Sequence, residues 1–290
     1  MTRLIGAELF KLRKRSMTLV LLLVLISIVV LLHLLLLAVS KVTLPAHNTP
    51  EFQQNVGELQ NLLGLPLALP FAMSILSSFG SVLGIILMAS SIGNEYNWRT
   101  IRTVLICSES RFKLLAAKLI SASIFILVGM VIGLAAGFIM SLITTAIGGY
   151  QFSFSFATGS YLWDQFLQFW RTFYVLQPYV LLGFLFAVIG RSAMPGIAFG
   201  IGIFFLESII TAFMSAAGGW IARVPDYLLI ANVRTINNMA GLPGGIAMGF
   251  GGGITDQSAG VPHAFITLAI YSVAFLAIAF YLFRRRDVTV

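Results

Sequence analysis

The sequence predicts an all-α integral membrane protein with six transmembrane helices, and three observations carry that prediction. The 290 residues are 59% hydrophobic and only 10% charged, against roughly 25% charged in a typical soluble domain. The apolar runs are continuous over about 20 residues, the length that crosses a bilayer as a helix, and do not alternate as barrel strands would. The basic residues sit beside these runs, as topology signals do. Backbone polar groups must be satisfied within the bilayer, so continuous runs read as helices. The chain reads as a single transmembrane domain over residues 1–290.

The opening segment, residues 1–16, is an amphipathic candidate. Leu4, Ile5, Leu9 and Leu12 gather on one side of a helix, flanked by Lys11, Lys14 and Arg15, as in a helix lying in the membrane interface. Glu8 falls one turn from Leu4 and Leu12 and is placed to pair with Lys11 at i,i+3. The first span, residues 17–39, is rich in Leu, Val and Ile. It is too long for the h-region of a cleavable signal, and no small-residue cleavage site follows it.

The second span covers residues 67–92, with Pro70 expected in its opening turn, where proline is tolerated. The third covers 119–147, long enough to tilt or project. The fourth is short, 173–189, with Pro178 expected to kink it. The fifth covers 194–216 and the sixth 264–283.

Orientation follows from the positive-inside bias. With the N-terminus inside, the inner segments collect 14 of the 18 cations, leaving Lys41, Arg171, Arg223 and Arg234 outside. Both termini are then cytoplasmic. Of the outer segments, residues 40–66 are polar, 148–172 are aromatic-rich in the manner of an interfacial belt, and 217–263 form a Gly-rich stretch. That last stretch reads as a flexible or partly re-entrant cap. Although the net charge is +8, its confinement to span ends argues against a nucleic-acid partner. The single cysteine, Cys107, excludes an intramolecular disulfide and a multi-cysteine metal site.

Small residues recur every fourth position at Gly129, Gly133 and Gly137, and again at Gly196 and Gly200. Such faces let helices approach closely. Glu207 is the sole carboxylate well inside a span, which makes it a candidate for the substrate pathway or for interhelical bonding. His33 is a second candidate of the same two kinds.

The inner segment of residues 93–118 stands apart. It holds five cations, two carboxylates and Trp98, and reads as a short helix presented to a partner. Glu95 and Arg99 are four apart and placed to pair on a helix, with Trp98 and Arg102 on the adjacent face. Aromatic and arginine residues are the types that anchor interfaces. Topology alone would explain the cations but leaves Glu95, Tyr96 and Trp98 without a role.

The order Glu95, Thr100, Arg102, Leu105, Ser110-Arg111 and Lys118 is similar to the loop after the second span of type-2 ABC exporter permeases. In that family this loop is a coupling helix that docks into a cytoplasmic ATPase. The opening run from Glu8 to Arg15 looks like the family's connecting helix, and the run from Phe283 to Asp287 like its usual ending. Six spans with both termini inside extend the resemblance over nearly the whole chain. One departure is Arg99, where the family commonly has glycine before the threonine. The short N-terminal region and small outer loops look most like the bacitracin and lantibiotic self-protection permeases.

The resemblance implies a non-catalytic permease subunit of an ATP-driven exporter in the bacterial plasma membrane. Its ATPase interface would include Glu95, Tyr96, Trp98, Arg99, Thr100, Arg102, Arg111 and Lys118, and its connecting helix Glu8 and Lys11. Its partners would be ATPase subunits and a second permease, identical or paralogous, within membrane lipid. The substrate would be an antimicrobial peptide, a drug or a lipid-like compound. No phosphate-binding loop is present in the chain, where no lysine follows a glycine, so ATP and magnesium are expected on the partner. The alternatives from the residues alone are a secondary transporter using Glu207 with His33, and an intramembrane protease. The protease would need paired carboxylates or metal-spaced histidines, and the sequence has neither.

Overall fold

In a computed structural model, the described residues are 1–41, 63–97, 111–148, 156–217, 219–240 and 260–285. They are helical, with no β-strand among them. The elements are α1 (Thr2–Lys14), α2 (Ser16–Lys41), α3 (Leu65–Asn97), α4 (Arg111–Gly148), α5 (Gly159–Gly190), α6 (Ala193–Ala217), a 3-10 turn (Ile221–Tyr227), α7 (Leu229–Asn237) and α8 (Val261–Arg285). Six of them, α2, α3, α4, α5, α6 and α8, are long and apolar enough to cross a membrane.

The bundle is built around α3 and α5. These two are mostly buried, whereas α2, α6 and α8 keep most of their apolar surface outward. Leu23, Leu31, Phe213 and Ile270 are examples of that outward surface. In lipid such exposure carries no hydrophobic penalty, because acyl chains are as apolar as leucine. The core follows the same plan. Leu76, Met88 and Ile92 of α3 pack with Leu176 and Phe184 of α5 and with Leu115 and Ile126 of α4.

Glycine placement explains how closely the helices approach. A Cβ on Gly137 would lie 2.6 Å from the Ala72 Cβ, and one on Gly200 would lie 2.5 Å from Ile85 Cγ2. Gly133 faces Leu76 in the same way, and Gly196 faces Ala89. Gly129 departs from the expected row, since a Cβ there would meet nothing within 4 Å. Helical drift carries it off the α3-facing stripe that Gly133 and Gly137 share.

Pro70 lies deeper in α3 than expected, because the helix starts at Leu65. Lacking an N–H, it leaves the Pro66 carbonyl without its intrahelical donor. The Tyr161 hydroxyl donates to that carbonyl at 2.8 Å. The helix α5 likewise runs unbroken through Pro178.

Two expectations are corrected. Residues 159–172, expected in an outer aromatic loop, form the first four turns of α5, with Thr158 accepting from the Tyr161 amide as N-cap. Within the expected Gly-rich outer loop, residues 221–240 are folded, and Leu229, Val233 and Ile236 of α7 are buried against α3, α5, α6 and α8. The glycines at 241–253 lie outside the described residues.

Candidate functional site

The bundle end that carries α1 holds a cluster of four charges. On α1 the buried positions are Glu8 and Leu12, so a carboxylate sits on the helix's inward face. Phe10, on the other side, is exposed. That inward face lies on α4, where the Ser121 hydroxyl donates to Ile5 O at 3.3 Å. Lys118, in the second turn of α4 and one turn before Ser121, turns inward, and Glu95 does the same in the last turn of α3.

Lys118 Nζ donates to Glu95 Oε1 at 2.6 Å and to Glu8 Oε2 at 2.9 Å. Lys11 Nζ donates to Glu8 Oε1 at 2.7 Å and reaches Glu95 Oε1 at 3.4 Å. Among the described residues, two ammonium groups thus face two carboxylates. Burial opposes the ionisation of Glu8, but Lys118 and Lys11 outweigh it and hold the carboxyl below its ordinary range. Burial likewise disfavours charged Lys11, and Glu8 with Glu95 outweighs it and raises the amine above its ordinary value. A buried ion-paired cluster adds little net stability, but removing one member leaves an uncompensated charge. Its consequence is therefore geometric: α1 is fixed at once to the ends of α3 and α4.

Two residues before Glu95 the packing is equally close. A Cβ on Gly93 would overlap the Ala193 backbone at the start of α6. The turn into α6 is short, with Arg191 in the left-handed conformation at φ 50°. At the same end, Phe112 of α4 contacts Phe280 of α8 at 4.6 Å between ring centroids.

These positions revise the sequence expectations. The Glu8–Lys11 pair forms as expected. Glu95 and Lys118, expected on a partner-facing surface, are turned into the protein, because their charges complete the α1 cluster. Tyr96 is half-buried and packs on the core. Trp98, Arg99, Thr100 and Arg102 lie outside the described residues, as does the side chain of Arg111, whose backbone opens α4. The link among Glu8, Glu95 and Lys118 escaped sequence reading, since these residues are 23 to 110 positions apart. The available signal was the presence of carboxylates within the first two basic clusters, Glu8 in one and Glu95 with Glu109 in the other.

The structure does not bring Glu207 and His33 together. His33 Nδ1 donates to Val29 O at 2.8 Å, and its ring meets the edge of Phe71 at 5.0 Å. Glu207 faces the other side of the bundle, where its Oε1 accepts from the Leu229 amide at 3.4 Å and its Oε2 is 3.5 Å from the Tyr179 hydroxyl. The first amides of a helix lack intrahelical partners, so Glu207 caps α7 from a neighbouring helix. Arg234 and Asn237 secure the far end of α7 through Ser208 at 3.3 Å and Ser77 at 2.6 Å. Among the described residues no group of three or more His, Cys, Asp or Glu is placed to hold a metal.

The family model described as "Protein of unknown function (DUF2705)" matches residues 51–289. The chain belongs to the DUF2705 family. The DUF2705 match takes in Glu95, Lys118 and Glu207, and begins after α1 and α2. The uncharacterized protein YhcI of Bacillus subtilis (strain 168) is 27% identical over 214 residues, which are 70% of this chain and 63% of that relative. The match therefore spans less than two thirds of the relative's length. No solved structure matches the chain.

Proposed function

We propose that this DUF2705 protein is the permease subunit of an ATP-driven exporter, with ATP bound and hydrolysed by a separate cytoplasmic subunit. The observation that carries the reading is the clamp of Lys118 on Glu95 and Glu8, at 2.6 and 2.9 Å. It joins the N-terminal helix to both roots of the segment 98–110, the segment whose residues resemble a coupling helix. A push on that segment would be delivered to α3 and α4 together, and α1 would move with them. Because α3 lies at the centre of the bundle, displacement of its end would reach α5 and α6 through the close contacts at Gly183, Gly196 and Gly200.

In this reading the end bearing α1 faces the cytoplasm, in keeping with its cations. Two permease chains, identical or paralogous, would form the pathway between them, for an antimicrobial peptide, a drug or a lipid-like compound. The buried Glu95 and Lys118 hold the docking segment rather than touch the ATPase, and Trp98, Arg99 and Arg102 are the contact candidates. The variant Arg102→Glu combined with Trp98→Ala tests the assignment. It should lose the ATPase on purification, and lose transport, while keeping the wild-type melting temperature. A variant that retains both ATPase and transport would overturn it.

A further inference from the structure

Between α2, α3, α4 and α5, on the same half of the bundle as α1, lies a partly open cleft of about 130 Å³. Its walls include Leu22 and Leu25 of α2 and Phe125 of α4. A closed apolar cavity of roughly 150 Å³ stays dry and takes a benzene-sized molecule, so this space suits hydrocarbon. Among the described residues, Arg13 and Thr18 are the only ones with polar side chains that line it, and both stand at one end, beside the turn from α1 into α2. Leu25 is seven residues further along α2, about 10 Å deeper.

The cleft is therefore amphipathic along its length, with a cation and a hydroxyl at the mouth and hydrocarbon below. Arg13 is exposed and has no ion-pair partner among the described residues. Lys14 and Arg15 follow Arg13 at the turn from α1 into α2, so the mouth lies beside three consecutive cations. Gly129 lines the wall, and a Cβ there would enter open space. A glycine that packs against no helix but borders a cleft keeps that cleft open.

We propose that this cleft binds an anionic glycerophospholipid, one acyl chain lying along α2 and the phosphate held by the Arg13 guanidinium and the Thr18 hydroxyl. Guanidinium and phosphate match as a charge-assisted pair, and an anionic leaflet adds attraction for each basic residue near its surface. The site does not depend on the transport reading, since it needs only a bilayer.

The test is lipid binding to the delipidated full chain, followed by native mass spectrometry. The probes are phosphatidylglycerol and phosphatidylcholine of identical acyl composition. The wild type should retain phosphatidylglycerol in preference, by about fivefold for one basic residue. Arg13→Gln should bring the two lipids level. Gly129→Leu should lose the bound phosphatidylglycerol without lowering the melting temperature of the delipidated protein, because its side chain fills space that is already open. Soluble glycerol phosphate should not bind, since it lacks the chain that fills the cleft. Equal retention of the two lipids by the wild type, or undiminished phosphatidylglycerol on Gly129→Leu, would overturn the proposal.

Discussion

Lys118 and Glu95 form an ion pair at 2.6 Å with both side chains buried, at the junction of α3 and α4. Glu8 completes it from α1 at 2.9 Å. The pair closes the base of the segment between the two helices and makes α1 part of the same body. Replacement of Lys118 by Met removes the buried ammonium that both Glu8 and Glu95 accept from, and should destabilise by about 3–5 kcal/mol. Adding Glu95→Gln should recover part of that loss, because it removes one buried charge. Thermal unfolding in detergent of the single and double variants measures both.

The docking of α1 should depend on pH in a direction set by Glu8 and Lys11. Glu8 titrates below its ordinary 4.5 when folded, so its contribution is complete above 4.5 and is lost as pH falls through the lowered value. Lys11 titrates above its ordinary 10.5, so its contribution is complete below 10.5 and is lost as pH rises through the raised value. Between these limits α1 should stay seated. Hydrogen exchange of residues 2–14 should show constant protection across neutral pH after correction for intrinsic rates. It should fall at strong acid, and Glu8→Gln should remove the acid-dependent loss.

Glu207 separates a capping role from a transport role. Glu207→Leu strands the Leu229 amide and the Tyr179 hydroxyl, and should cost about 1–3 kcal/mol. Glu207→Gln keeps an acceptor for the amide and should cost less. Hydrogen exchange at residues 229–237 should speed up in the leucine variant and change little in the glutamine variant. If both variants keep α7 fully protected, Glu207 does not seat that helix.

The glycines of α4 should divide. Gly129→Ala gains helix propensity in open space and should stabilise by up to about 1 kcal/mol. Gly137→Ala meets the Ala72 Cβ and should destabilise by about 1–3 kcal/mol through overpacking. Melting temperatures moving in opposite directions would verify the division.

Much of the fold was legible because a bilayer demands long apolar helices. The six runs and the amphipathic character of α1 follow from hydropathy and periodicity. The first half of α5 was hidden because Asp164, Gln165, Gln168 and Arg171 interrupt its hydropathy, so it read as a belt-forming loop. Helix α7 was hidden for a different reason: nine residues beside a run of glycines cannot announce a helix that tertiary contacts with Glu207, Ser208 and Ser77 stabilise. The inward turn of Glu95 and Lys118 was also beyond sequence reading, because burying them requires Glu8, which only the folded chain brings alongside. Their charge drew attention to the segment, but charge alone does not tell that Glu95 and Lys118 turn inward.

The central claim is that this chain works with a separate ATPase, and the most direct measurement is its purification from native membranes in mild detergent. The account predicts that a protein carrying a phosphate-binding loop co-purifies in fixed stoichiometry and hydrolyses ATP. It also predicts that this protein is lost from the Trp98→Ala, Arg102→Glu variant. A chain that purifies without any ATPase, and by itself moves substrate under an ion gradient, would contradict the account.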